Sequence, residues 1–124
     1  MTATPTRLLG DICPSWCGGE HTEVRLENGK FAHPDDAGVY HYSSAIDTWF
    51  PDNGDGEGVP CTKAATVRIE GYRHDNGEDY ADHIEAGNVS PGWMGGVDLT
   101  VPDARRLGEA LIKACDLAEG KAGS

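Results

Sequence analysis

Two periodicities divide the chain. Thr66-Val67-Arg68-Ile69-Glu70 alternates strictly between polar and apolar, the period of a strand with one buried face, and Asp75-Asn76-Gly77-Glu78 follows with turn chemistry. A two-residue type I′ turn at Asn76-Gly77 sets Ile69 opposite Ile84, Val67 opposite Ala86, Arg68 opposite Glu85 and Glu70 opposite His83. Apolar pairs then share one face and complementary charges the other, so two independent patterns select one register. The closing segment carries the other period. Thr100 is placed as helix N-cap, Pro102 in the first turn and Asp103 three residues after the cap. Ala104, Leu107, Leu111, Ala114, Cys115 and Ala118 form one apolar stripe, Glu109 and Lys113 form an i,i+4 pair, and Gly120 stops the helix.

Between these lie weaker strand signals. Glu23–Lys30 alternates and ends in the hairpin dipeptide Asn28-Gly29. Val39–Phe50 is rich in β-prone residues, and Gly96–Leu99 reads as a short last strand. Pro51–Gly58 is an acidic, Gly-rich loop; it lacks the twelfth-position carboxylate of a calcium loop, since Ala64 stands there. These elements predict a small α+β domain: an antiparallel sheet of about four or five strands with the C-terminal helix on one face. Residues 1–10 and 121–124 read as tails flanking a single domain over 11–120.

Candidate chemistry sits ahead of the first strand. Cys13-Pro14-Ser15-Trp16-Cys17-Gly18-Gly19-Glu20-His21 repeats potential metal ligands every four residues, the spacing of a zinc knuckle. Pro14 starts one helical turn that returns Cys17 to Cys13, and the two glycines let His21 close on the same point. Trp16 packs beneath the metal in this reading. A structural site needs a fourth ligand. His41 is the first choice, because alternation in Val39-Tyr40-His41-Tyr42 turns it away from both Tyr rings; His33 and Cys61 are the alternatives. Cys115, on the helix stripe, reads as core. An open fourth position would make a small zinc hydrolase, with Glu20 or Glu23 as base. The paired-His motif of metalloproteases, the His-x-Glu/Pro-Cys-x-x-Cys order of deaminases, P-loops and nucleophile elbows are all absent.

Composition narrows the partners. The 124 residues carry a net charge of −11 with only 10 Lys and Arg, which argues against phosphate backbones and anionic membranes. No apolar run spans a bilayer and no signal-peptide order opens the chain, so a cytoplasmic protein with reduced thiols is expected. With 38% hydrophobic residues and 17 Gly, the core is lean, and a metal would add folding free energy. The leading expectation is a non-enzymatic, zinc-stabilised interaction or regulatory module for a protein partner, with Trp49, Phe50, Trp93 and Met94 as candidate surface anchors. An acidic nucleic-acid mimic or phage-type host modulator is the alternative.

The chain also resembles a family of small actinobacterial and actinophage proteins that has no assigned function. The resemblance rests on Cys13-Pro14-x-Trp16-Cys17-x3-His21, on His41-Tyr42-Ser43, and on the closing Leu99-Thr100, Ala104-Arg105-Arg106-Leu107 and Ala114-Cys115-Asp116-Leu117-Ala118-Glu119. It implies the four-ligand set Cys13, Cys17, His21 and His41. The chain departs from the family pattern at Val101 before Pro102 and at Gly108, where Ala is expected.

Overall fold

A computed structural model describes residues 8–24, 37–53, 58–90 and 97–120. A 3-10 turn at Leu9–Asp11 precedes five strands, β1 (Glu20–Val24), β2 (Gly38–Tyr42), β3 (Asp47–Trp49), β4 (Ala65–His74) and β5 (His83–Gly87), and the helix α1 (Val101–Ala118). All pairings are antiparallel. The long strand β4 is the spine. β5 lies along one edge, while β2 and β3 follow one another along the opposite edge, and β1 pairs outside β2. Between β2 and β3 the ladder breaks at Ser43, whose hydroxyl accepts the Ile69 N–H at 2.8 Å in place of a backbone carbonyl. The Ile69 N–H thus keeps a partner where the ladder breaks, and the Ser43 N–H bonds to the Ile69 carbonyl at 2.9 Å.

The β4–β5 register matches the expected pairing: Ile69 faces Ile84, Val67 faces Ala86, Arg68 faces Glu85 and Glu70 faces His83. The turn does not. Gly77 alone has positive φ, +92°, where a type I′ turn demands it of Asn76 as well. The Gly77 N–H bonds to His74 and Arg73 bridges Asp79, which leaves a three-residue loop. One extra residue on the returning strand, at Ala81–Asp82 opposite Gly71, restores the frame. This β-bulge therefore compensates for the longer turn, and the distant register is unchanged.

One sheet face is covered. Ala65, Val67 and Ile69, all fully buried, meet Ala110 and Ala114 of α1, with Trp49 and Trp16 completing the cluster. Thr100 caps the helix by accepting the Asp103 N–H, as expected. The stripe is rotated from its predicted position. Leu107, Ala110, Leu111, Ala114, Leu117 and Ala118 face the core, while Ala104 and Cys115 are exposed. The core-facing arc is centred near Ala114, and at about 100° per residue Cys115 and Ala104 fall beyond one edge of it. Cys115 is corrected from core to surface. The other sheet face carries Tyr40, Tyr42, Tyr72 and His74, with Arg68 over the Tyr42 ring at 4.3 Å.

Three further expectations change. Leu8–Gly10 belong to the fold instead of a tail, since Gly10 is buried. The first strand spans Glu20–Val24, three residues earlier than predicted at its start, so His21 is itself a strand residue; 25–30 lie outside the described residues. Residues 97–99 form no strand, and Gly96 lies outside the described residues.

Candidate metal centre

Three segments converge to build the site. Pro14 opens a tight turn, closed by the Cys17 N–H bonding to the Pro14 carbonyl at 3.0 Å, which swings Cys17 back beside Cys13. Gly19 adopts φ +95° and leads the chain into β1. There His21 stands directly across from His41 of β2, so strand alternation puts both imidazoles on the same face, the one that also carries the helix. Their rings meet edge to face, 4.6 Å between centroids.

The donor atoms close on one point. Sγ of Cys13 and Sγ of Cys17 each lie 3.3 Å from Nε2 of His21, and Sγ of Cys17 lies 3.6 Å from Nδ1 of His41. One ligand atom from each of the four residues falls within 4.8 Å of all the others. Donors about 2.0–2.3 Å from a tetrahedral ion are about 3.3–3.8 Å apart, so the three close spacings fit such an ion directly. The wider separations close by rotation of Cys13 or His21, both of which are exposed. The cysteines form no disulfide.

His41 is the anchor. It is fully buried, and its Nε2 lies 2.6 Å from the Gly10 carbonyl. A carbonyl oxygen only accepts, so Nε2 holds the proton and Nδ1 turns its lone pair toward Cys17. This is the outer-shell contact that fixes the tautomer of a metal-binding imidazole. Burial holds the His41 pKa below its ordinary value of 6.5, with His21 and Arg73 pushing the same way against the Gly10 bond. The ring is thus kept neutral, the form a metal requires.

Beneath the knuckle lies Trp16, buried as expected. Its indole N–H donates to Asp82 at 3.2 Å, and Asp82 also accepts from Arg73 at 2.7 Å. Arg73 lies over the Trp16 ring at 5.7 Å. A side chain on Gly71 would come within 2.9 Å of Trp16 and 2.5 Å of Asp82, so glycine is needed for this close approach. The bulge at Ala81–Asp82 aims Asp82 into the contact.

The remaining candidates fall elsewhere. Cys61 contacts the Asp52 carbonyl at 3.5 Å, beside a cleft of about 460 Å³ lined by Lys63, Asn88 and neighbours, and is not in the cluster. His33 lies outside the described residues. Glu20 turns to the opposite face, 3.6 Å from Arg68, and neither it nor Glu23 joins the ligand group. Trp49 is buried in the core beneath Arg106, so it is no surface anchor. Its placement follows from pairing with Ala65 on the covered face. Phe50, the next residue, is 60% exposed. Trp93 and Met94 lie outside the described residues. Sequence reasoning missed Gly10, Asp82 and Arg73. Only Asp82 gave a signal, an acid after an interrupted strand pattern.

No family model, curated protein or solved structure matches the chain. No helix among the described residues is long and apolar enough to cross a membrane.

Proposed function

We propose that the protein is a non-enzymatic, zinc-stabilised module that displays a surface to a protein partner in a reducing, cytoplasmic setting. The observation that carries this reading is the complete S2N2 set of Cys13, Cys17, His21 and His41 around one point. Two thiolates and two imidazoles in a compact cluster suit zinc; oxygen-seeking calcium and magnesium prefer carboxylates. Four protein ligands fill a tetrahedron, which supports a structural role over a hydrolase with water in an open position. The zinc would supply no chemistry beyond tying the knuckle to β1 and β2.

What it ties down is apolar. Leu8, Leu9 and Ile12 are 44%, 50% and 48% exposed, on either side of the Gly10 carbonyl that His41 holds. In this reading His41 couples ligand geometry to the presentation of that ridge. An interface of this kind outlasts moderate salt, whereas an acidic nucleic-acid mimic loses its partner steeply as salt rises. The test uses protein purified without chelator. One zinc per chain is expected, together with no binding to labelled duplex DNA at physiological salt. Less than about a tenth of an equivalent, with a fold that persists in chelator, overturns the structural-zinc reading. A DNA shift at micromolar protein overturns the partner assignment.

A further inference from the structure

Half of the donor set lies on one short turn. Cys13 and Cys17 flank it, and the Cys17 N–H closes it on the Pro14 carbonyl at 3.0 Å. Their Sγ atoms lie within 4.8 Å of one another, and no disulfide joins them. Closing them to a sulfur–sulfur bond of about 2.05 Å involves this turn alone, because both thiols belong to it. Cys13 is exposed, whereas Cys17 is half-buried and packs against the core cluster. The two imidazoles are held elsewhere, His21 on β1 and His41 on β2. Cys61 and Cys115 lie outside the cluster.

We propose that Cys13 and Cys17 are also a reversible oxidation site, with a peroxide as oxidant and release of the metal as the consequence. The proposal rests on the zinc reading above and adds its regulation. The exposed Cys13 sulfur attacks one peroxide oxygen; the O–O bond breaks, a sulfenic acid forms, and the leaving hydroxide is protonated to water. The Cys17 sulfur then attacks the Cys13 sulfur. The S–S bond forms, and the sulfenic oxygen takes a proton and leaves as a second water. Two thiolates, one hydrogen peroxide and two protons thus give one disulfide and two waters, with two electrons passing from the sulfurs to the peroxide. The thiolate is the metal-binding form of cysteine, so this reaction removes both anionic ligands together. His21 and His41 remain, two donors where a structural site takes four. Oxidation and zinc binding therefore exclude one another, and by linkage a loaded site resists oxidation. The change also reaches the surface. Cys13 lines a groove of about 400 Å³ with Leu9, Ile12, Pro14 and Arg73, and Leu9 and Ile12 belong to the exposed apolar ridge. A bridge within the turn reshapes that ridge at its edge.

Treatment of the zinc-loaded chain with about two equivalents of hydrogen peroxide tests this, with released zinc read by a colorimetric chelator and bridges mapped by mass spectrometry of alkylated peptides. A Cys13–Cys17 bridge is expected, with one zinc released for each bridge and bound zinc falling below about a tenth of an equivalent at completion. Dithiothreitol with added zinc should restore the starting stoichiometry. Cys115→Ser, at an exposed thiol outside the site, should leave both readings unchanged. Zinc retained after peroxide, or oxidation confined to Cys61 and Cys115, overturns the proposal and leaves the metal reading intact. So does zinc lost with Cys13 and Cys17 ending as separate sulfinic acids, because reducing agent does not reverse that loss. Release that Cys115→Ser prevents also overturns it. A chain that loads no zinc overturns the metal reading and this proposal together.

Discussion

The covered sheet face is shared by two halves built on different physics. On one side α1 lies over β4, and contact is made by Ala110 and Ala114 against Val67 and Ile69, without a polar group between them. On the other side the knuckle lies over β2 and the far end of β4. There the contacts are polar and directional: four ligand atoms around a point, His41 to Gly10, Trp16 to Asp82 and Arg73 to Asp82. Burial tolerates small shifts and sums over area. Ligand and hydrogen-bond geometry does not, and one lost member leaves the others unsatisfied. The same sheet is thus closed at one end by area and at the other by coordination. Trp16 is the joint, since it belongs to the apolar cluster and to the Asp82 contact.

The largest effect should come from the coordination half. Cys17→Ser is expected to abolish zinc binding, and stability should fall on the order of 5 kcal/mol, a large part of the ~10 kcal/mol or more that a structural zinc supplies. Titration with zinc under denaturant-unfolding conditions reads both. His41→Ala should weaken binding far more than His33→Ala, because the β1–β2 register places His41 in the cluster. Equal effects of the two would remove His41 from the site.

In the burial half, Ile69→Ala should cost about 2–5 kcal/mol, since the side chain is fully enclosed, while zinc stoichiometry stays at one. A loss of metal with that variant would mean that the two halves are not separable. Acidification sharpens the contrast. Folded His41 binds a proton less readily than the unfolded chain, so its contribution is complete above the unfolded value of 6.5 and is lost as pH falls through that value toward the lowered folded one. Thiolate protonation acts in the same direction on the metal-bound form. Unfolding free energy followed from pH 7.5 to 5 should therefore decline, and His41→Ala should flatten the decline. The smallest effect expected is about 1 kcal/mol for Thr100→Ala, from loss of the helix cap, read by urea unfolding.

What the sequence revealed follows the same division. The β4–β5 register was legible because apolar and charged positions agree, and it survived a misread turn because the bulge at Ala81–Asp82 added one residue in compensation. The four ligands were legible because three sit at knuckle spacing and strand alternation aims the fourth. Their support was not. Asp82 is 66 residues from Trp16, and no periodicity links them. The Gly10 carbonyl that fixes His41 is backbone and leaves no mark on composition. Cys115 was misplaced because the apolar arc of α1 is wider than the core it covers. A pattern reports that width but not which edge the sheet takes.

Hydrogen exchange on the zinc-loaded protein, before and after chelation and with metal content read on the same sample, tests the division most directly. The account predicts one zinc per chain. Chelation should raise exchange first in Gly10–Val24 and Gly38–Tyr42, with Leu107–Ala118 remaining protected longer. A sample without zinc whose knuckle amides are already protected, or a chelator effect that is equal in the knuckle and in α1, would contradict it.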